Sequence, residues 1–247
     1  MSRHNKTSPL RAGSALNPLF IALIVPMALL AGGCASDVIP TGSTATTVPT
    51  EGFRIVPEPA FNASGVSPVQ PIRITVTDGT LLSVSLTNAD GADVDGELSA
   101  DQRRWTATEP LGFDKRYTWS GTAFDAEGER FPIEGSFRTL APKTVVTIQP
   151  NVVDGGVYDQ TTPIVLRFSA PVRDKGDVQR ALDVDAKPRT AGTWSWSEDD
   201  TVVTWRPKQR WEPGTTVRLR GSLYAVRMSD GHYGATDLDI RFRITPD

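Results

Sequence analysis

Cysteine is nearly absent: Cys34 is the one cysteine in 247 residues, so no internal disulfide can form and the fold has to stand on its hydrophobic cores. Histidine is almost as scarce, at two residues, His4 and His232. A nucleophile–base pair or a metal centre of thiolates and imidazoles therefore has very little to draw on. Basic charge is not in excess either, with 26 Lys and Arg against 29 Asp and Glu. That balance argues against nucleic acid as a partner, which rewards a basic face.

Long apolar runs are also missing, apart from one at the N-terminus. Arg3, Lys6 and Arg11 precede the apolar stretch "LFIALIVPMALL" (19–30), and the small residues Ala31, Gly32 and Gly33 lead directly to Cys34. The run is shorter than the roughly 20 residues a spanning helix needs, and its charge-then-apolar order is that of an export signal. The stretch "AGGC" resembles the lipobox of bacterial lipoproteins. That resemblance implies cleavage after residue 33, a diacylglyceryl group on the Cys34 thiol, and a membrane held through the N-terminal lipid on the extracytoplasmic side. Two or more acyl chains anchor durably where one does not. Loss of residues 1–33 removes three basic and no acidic residues, which brings the net charge to about −6.

Residues 34–60 are rich in Thr, Ser, Pro and Gly and carry no regular period, so they are expected to form a flexible tether. At about 3.3–3.6 Å per residue, some twenty residues reach roughly 70 Å from a bilayer. Short alternating segments then follow closely: "IRITVTD" (72–78), "LLSVSLTN" (81–88), "RRWTAT" (103–108), "RYTWSGTAF" (116–124) and "FPIEGSFRTL" (131–140). With turn-forming stretches such as "NADGADVDG" between them, they point to a β-sandwich over residues 61–141.

The plan repeats over residues 142–247. "PIRI" (71–74) matches "PIVL" (163–166), Trp105, Tyr117, Trp119 and Gly121 lie 100 residues before Trp205, Val217, Leu219 and Gly221, and "EGSFRTL" recurs as "DIRFRIT". An internal duplication is the reading. The second copy adds a short helix in "DKGDVQRALDVD", with Asp177 expected as its cap and Val178, Ala181 and Leu182 on its apolar face, and then a hairpin "TWSWSEDDTVVTW" with Glu198, Asp199 and Asp200 at the tip. The fold class is all-β, two tandem immunoglobulin-like sandwiches closely joined near Pro142.

The run "TDGTLLSVSLTNADGADVDGELSADQRRWTATEPLGFDKRYTWSGTA", with "PIVLRFSAPVRDKGDVQRAL", "VTWRPKQRWEPGTTVRLRGSLYAV" and "DGHYGATDLDIRFRI", resembles the tandem immunoglobulin-like region of actinobacterial, mycobacterial-type L,D-transpeptidase lipoproteins. The resemblance covers about residues 65–245. In that family a catalytic domain follows the second sandwich and forms 3→3 cross-links in peptidoglycan through a cysteine in a Ser/Thr-His-Gly-Cys motif, helped by an upstream histidine. No "HGC" occurs in this sequence, so those catalytic residues carry over to no position here. The expectation is a non-catalytic envelope lipoprotein, not an enzyme, that acts as a spacer, docking or regulatory module in peptidoglycan cross-linking. Its expected partners are the membrane, peptidoglycan and cell-wall cross-linking enzymes, without nucleic acid or cofactor. Two alternatives stand beside it: the N-terminal part of a truncated L,D-transpeptidase, and a peptidoglycan- or glycan-binding module.

Three further groups bear on chemistry. His232, in "SDGHYGATD", reads as a turn residue, because acid/base work needs a positioned partner. "DVDGE" (93–97) lacks the longer pattern of a calcium loop, so no metal site is expected. Trp194, Trp196, Trp205 and Trp211, with Arg206, Arg210, Arg218 and Arg220 nearby, are candidates for a glycan surface, since indoles stack on sugar rings and arginines hold carboxylates. Trp194 and Trp196 share a strand face, as do Val203 and Trp205, and that spacing favours core packing over ligand binding.

Overall fold

The computed structural model describes residues 52–246. The signal segment, Cys34 and residues 34–51 of the expected tether lie outside them.

Alternation builds the strands of the first half: β1 (Arg54–Glu58), β2 (Arg73–Thr77), β3 (Gly79–Asn88), β4 (Gly96–Leu98), β5 (Arg104–Ala107), β6 (Arg116–Asp125) and β7 (Arg130–Arg138). In β2 Ile74 and Val76 are buried between less buried neighbours, and in β6 Tyr117 and Trp119 are. This period of two puts one face of each strand inward. The strands form two antiparallel sheets, β1-β2-β5-β4 and β3-β6-β7. The four-plus-three order is that of an immunoglobulin constant-type sandwich. Between the sheets lie Ile74, Trp105, Trp119, Ile133 and Phe137, with Trp105 edge-on to Trp119 at 5.4 Å. At the start of β6 the Tyr117 hydroxyl accepts the N–H of Gly112 at 2.8 Å, the tyrosine corner of such sandwiches.

Strand β1 corrects the tether reading, which ran to residue 60. Residues 54–58 pair antiparallel with β2, Pro57 opposite Ile74. Pro57 and Pro59 obscure the strand in the sequence, yet an edge strand tolerates a residue with no N–H to donate.

The second half comprises β8 (Thr144–Val146), β9 (Ile148–Pro150), β10 (Val157–Tyr158), β11 (Ile164–Phe168), α1 (Lys175–Ala181), β12 (Leu182–Lys187), β13 (Gly192–Trp196), β14 (Val202–Pro207), β15 (Thr216–Gly221), β16 (Arg227–Ser229), β17 (His232–Gly234) and β18 (Leu238–Ile244). Its main sheets run β9-β11-β14-β13 and β12-β15-β18-β10. The order of the first half is thus reproduced strand for strand, with β10 added in parallel to β18. Its core holds Leu166, Val203, Trp205, Trp211, Leu219 and Phe242.

Register refines the repeat. The β4–β5 loop (99–103) and the β13–β14 loop (197–201) are closed alike: Ser99 and Ser197 each bond an aspartate two residues on, and their hydroxyls accept the N–H of Arg104 and Val202, the first residues of the next strands. This matches Trp105 with Val203 rather than with Trp205, which lies one pleat further along its strand. The offset of 100 returns at the next corner, where Leu111 N–H donates to Pro68 O and Trp211 N–H to Gln160 O. It holds for Tyr117 and Val217, which pair with Phe137 and Phe242.

Helix α1 begins two residues before the expected cap. Asp174 takes the N-cap position without a side-chain capping bond, and its carboxylate faces Arg227 instead. Asp177 sits in the first turn, where a negative charge is favoured by the helix dipole, and pairs with Arg180. Leu182, expected on the helix, opens β12.

The second half departs most between β15 and β18. Residues 222–237 form an insert whose β16 and β17 make a small sheet with the linker strand β8. Lys143 and Thr144 donate their N–H groups to Gly231 O at 2.8 and 3.2 Å, and the Lys143 ammonium meets Asp230 at 3.0 Å. From the same insert Tyr224 and Tyr233 reach Phe113 of the first sandwich, with ring centroids 5.0 and 6.4 Å apart.

Candidate functional site

The tryptophans are divided by the sandwich. Trp205 and Trp211 are 5% and 1% exposed, and stack on each other at 5.0 Å inside the core. The Trp211 indole N–H donates to Thr162 O at 2.8 Å, which satisfies the one polar atom it buries. Neither can stack on a sugar, so the glycan surface drawn from sequence loses these two. The cause is strand alternation: Val203 and Trp205 point inward on β14, which turns Arg206 outward. Trp194 and Trp196 are half-buried on β13. Trp196 stacks on Phe168 at 5.6 Å, with the Lys175 ammonium 5.8 Å from its ring centre. Trp194 lines an open groove.

Arg218 and Arg220 face outward on β15 but are engaged, Arg218 by both carboxylate oxygens of Asp239 and Arg220 by Asp183. The hydrogen bond from Arg218 holds the Asp239 carboxyl below the usual carboxylate range.

Arg206 and Arg210 fall in a different setting, at the end of the sandwich where the β12–β13 connection (188–191) meets the β14–β15 connection (208–215). Lys208 N–H donates to Ala191 O at 2.8 Å across the two. Three clefts adjoin there. One of about 250 Å³ is lined by Gln160, Arg206, Lys208 and Arg210, the next of about 300 Å³ by Arg189, Thr190, Lys208, Arg210 and Glu212. The largest, about 780 Å³, runs on past Lys187, Arg189 and Trp194 to Asp183, Asp185 and Arg220. Sequence reasoning missed Lys187, Arg189 and Lys208. The available signal was two proline-centred basic connections, "KPR" (187–189) and "RPKQR" (206–210).

His232 is not in an exposed turn. It opens β17, half-buried opposite Thr144, with its Nδ1 3.0 Å from Asp230 O. The described residues contain no cysteine and no second histidine, and no group of three His, Cys, Asp or Glu is gathered there as metal ligands would be. In "DVDGE", Gly96 and Glu97 belong to β4, and Asp95 N–H donates to Glu109.

Asp200, expected at the hairpin tip, is 7% exposed and paired with both Arg173 and Lys175. It has a left-handed backbone, φ 59°, and its carbonyl accepts Val172 N–H at 2.9 Å. This arrangement ties the hairpin to the segment before α1.

A family model described as Bacterial Ig domain matches residues 63–227, two thirds of the chain. The chain belongs to the bacterial Ig domain family. This Ig-domain protein is 36% identical over 239 residues to L,D-transpeptidase 5 of Mycobacterium tuberculosis, covering 96% of this chain and 52% of that one. It is 33% identical over 184 residues to L,D-transpeptidase 2 of the same species, covering 74% and 44%. Among solved structures, an L,D-transpeptidase from Mycobacterium smegmatis is 24% identical with a TM-score of 0.30, over 40% of each chain. The Ig-domain protein spans about half the length of the curated relatives it matches. Its sequence is homologous to mycobacterial L,D-transpeptidases over most of its length, as an Ig-like region.

Proposed function

We propose that this Ig-domain protein is a membrane-tethered, non-catalytic module of the peptidoglycan cross-linking machinery, a stiff spacer that holds or presents a partner outside the membrane. The observation that carries it is the joint. The linker strand β8 is hydrogen-bonded to the 222–237 insert, and the insert packs two tyrosines on Phe113 of the other sandwich. A pair joined in this way transmits position rather than swivelling on a free linker. Homology to L,D-transpeptidases supports the wall as its setting, and "AGGC" before residue 35 supports the anchor. The non-catalytic reading is supported by the residues given: acyl transfer through sulfur needs a thiolate beside a base, and the one thiol in this sequence, Cys34, would be blocked by lipidation.

The test is fractionation with mass spectrometry. An acylated Cys34 peptide is expected in membranes, and Cys34→Ala is expected to release the protein. An unmodified thiol in membrane-extracted material refutes the anchor. Incubation with a carbapenem is expected to leave the intact mass unchanged, and an adduct on any residue refutes the non-catalytic reading.

A further inference from the structure

We infer that the end of the second sandwich opposite the joint is a binding site for a carboxylate-bearing polysaccharide. Strand β15 fixes the placement: its last residue, Gly221, leads into the insert that touches the first sandwich, and its first, Thr216, pairs with Lys187 and Arg243 at the other end. There Arg189, Lys208 and Arg210 converge from two connections, with Lys187 and Arg206 at the ends of the strands β12 and β14 beside them. None of the five forms an ion pair among the described residues, whereas the arginines of the neighbouring sheet face, Arg218 and Arg220, are both taken by aspartates. On a chain of formal net charge −3, cations gathered and left without acidic partners are a local exception. The two smaller clefts hold Glu212 as their only acid, and of the two aspartates on the far side of the larger groove, Asp183 is already engaged by Arg220.

The shape and the neutral groups select the kind of anion. The middle cleft shares Arg189 and Thr190 with the largest and Lys208 and Arg210 with the smallest, so the three adjoin as one track open to solvent rather than a closed pocket, which suits a polymer. Guanidinium groups match carboxylates in a two-point fork. Gln160, Thr190 and Gln209 add neutral hydrogen-bonding groups of the sort that meet sugar hydroxyls, and the half-buried Trp194 edges the track with an aromatic surface that favours a ring over a bare phosphate chain. The two connections are pinned together by the Lys208 N–H to Ala191 O bond, so the backbone that presents these cations is set before the ligand arrives.

The test uses the full chain in detergent and titrates it with polygalacturonate, dextran and polyphosphate. Polygalacturonate is expected to bind, more weakly as salt rises, and dextran not to. The exposed pair Arg189→Glu/Arg210→Glu is expected to weaken polygalacturonate binding about tenfold or more, while an equal charge change at Arg103→Glu/Arg104→Glu on the first sandwich leaves it within about twofold. Unchanged thermal unfolding of both variants shows that folding is not the cause. The inference is overturned if wild type does not bind, if the groove pair binds as wild type, if the control pair loses as much, or if dextran or polyphosphate binds as tightly as polygalacturonate. Because the titration uses purified protein, its failure leaves the anchor at Cys34 to be judged separately.

Discussion

The phenol of Tyr224 donates a 2.6 Å hydrogen bond to the carbonyl oxygen of Leu111, across 113 residues of chain and from one sandwich to the other. Burial raises the Tyr224 pKa, with Tyr117 and Asp237 adding to it, so the group stays a neutral donor through the physiological range. An unfolded tyrosine ionises near 10 and the folded one resists, so the joint keeps its full stability below about pH 10 and loses it as pH rises further. Tyr224→Phe is expected to lower stability by about 1–2 kcal/mol through the stranded carbonyl, and to remove part of the alkaline loss. Urea unfolding at pH 7 and pH 10.5 checks both.

Phe113 tests whether the joint is stiff. It meets Tyr224 and Tyr233 together, so Phe113→Ala removes both ring contacts while leaving the β8–β17 hydrogen bonds in place. Small-angle scattering is expected to show a wider spread of shapes for the variant, and proteolysis near Pro142 is expected to quicken. Unchanged scattering would mean that the linker strand alone sets the geometry.

The Asp199 carboxylate accepts hydrogen bonds from Ser197 Oγ at 2.6 Å and from the hydroxyl and N–H of Thr201 at 2.7 and 3.3 Å. These bonds, Ser197's first, lower its pKa from 3.8 to about 2. A depressed folded-state value means that the contribution is whole above about pH 3.8 and disappears as pH falls through about 2. In Ser197→Ala the NMR titration midpoint of Asp199 is expected to move up toward 3.8. Asp101 in the matching loop, held down by Ser99, is expected to rise likewise in Ser99→Ala.

Asp200 combines charge and backbone. Asp200→Asn keeps a side chain that tolerates the left-handed backbone but leaves Arg173 and Lys175 without their carboxylate. Because Arg173 is mostly exposed, the expected loss is about 1–2 kcal/mol, less than for a pair buried on both sides. Asp200→Ala adds backbone strain and is expected to lose about 1 kcal/mol more in urea.

The sandwiches were legible because alternation such as "RITVT" and "RYTWS" survives in nearly every strand. Three features were hidden, each for its own reason. Strand β1 carries Pro57 and is followed at once by Pro59, which together read as linker chemistry, yet it is an edge strand and tolerates a proline. The pairing of Trp105 with Trp205 matched residue types across a one-pleat shift, and a shift of two keeps the same face, so the burial pattern gave no warning. The joint depends on contacts between residues more than 80 positions apart, such as Lys143 with Asp230, which local patterns do not encode. Of the candidate site, Arg206 and Arg210 were found and their partners Arg189 and Lys208 were not, because only the fold brings the two connections together.

The shifted tryptophan keeps one local device, and it gives the sharpest test of the repeat. A Cβ added to Gly96 would lie 2.0 Å from Cζ2 of Trp105, and one added to Gly192 would lie 2.1 Å from Cζ2 of Trp205. In each sandwich the indole crosses a glycine on the neighbouring strand, diagonal to its own partner, Leu98 or Trp194. Alanine at either site must push the ring or the strand away. Strand β4 is three residues long and exposed throughout, so it can give way, whereas the five-residue β13 is half-buried at alternate positions and its Trp205 is backed by Trp211. Gly192→Ala is therefore expected to destabilise by about 2–3 kcal/mol and Gly96→Ala by nearer 1 kcal/mol, both as overpacking. The near-ultraviolet signal of the stacked Trp205–Trp211 pair is expected to change only in the first. Adding Trp205→Phe to Gly192→Ala frees the space the Cβ needs, so the double variant is expected to be more stable than the two single losses sum to. Simple additivity would show that the ring does not rest on Gly192.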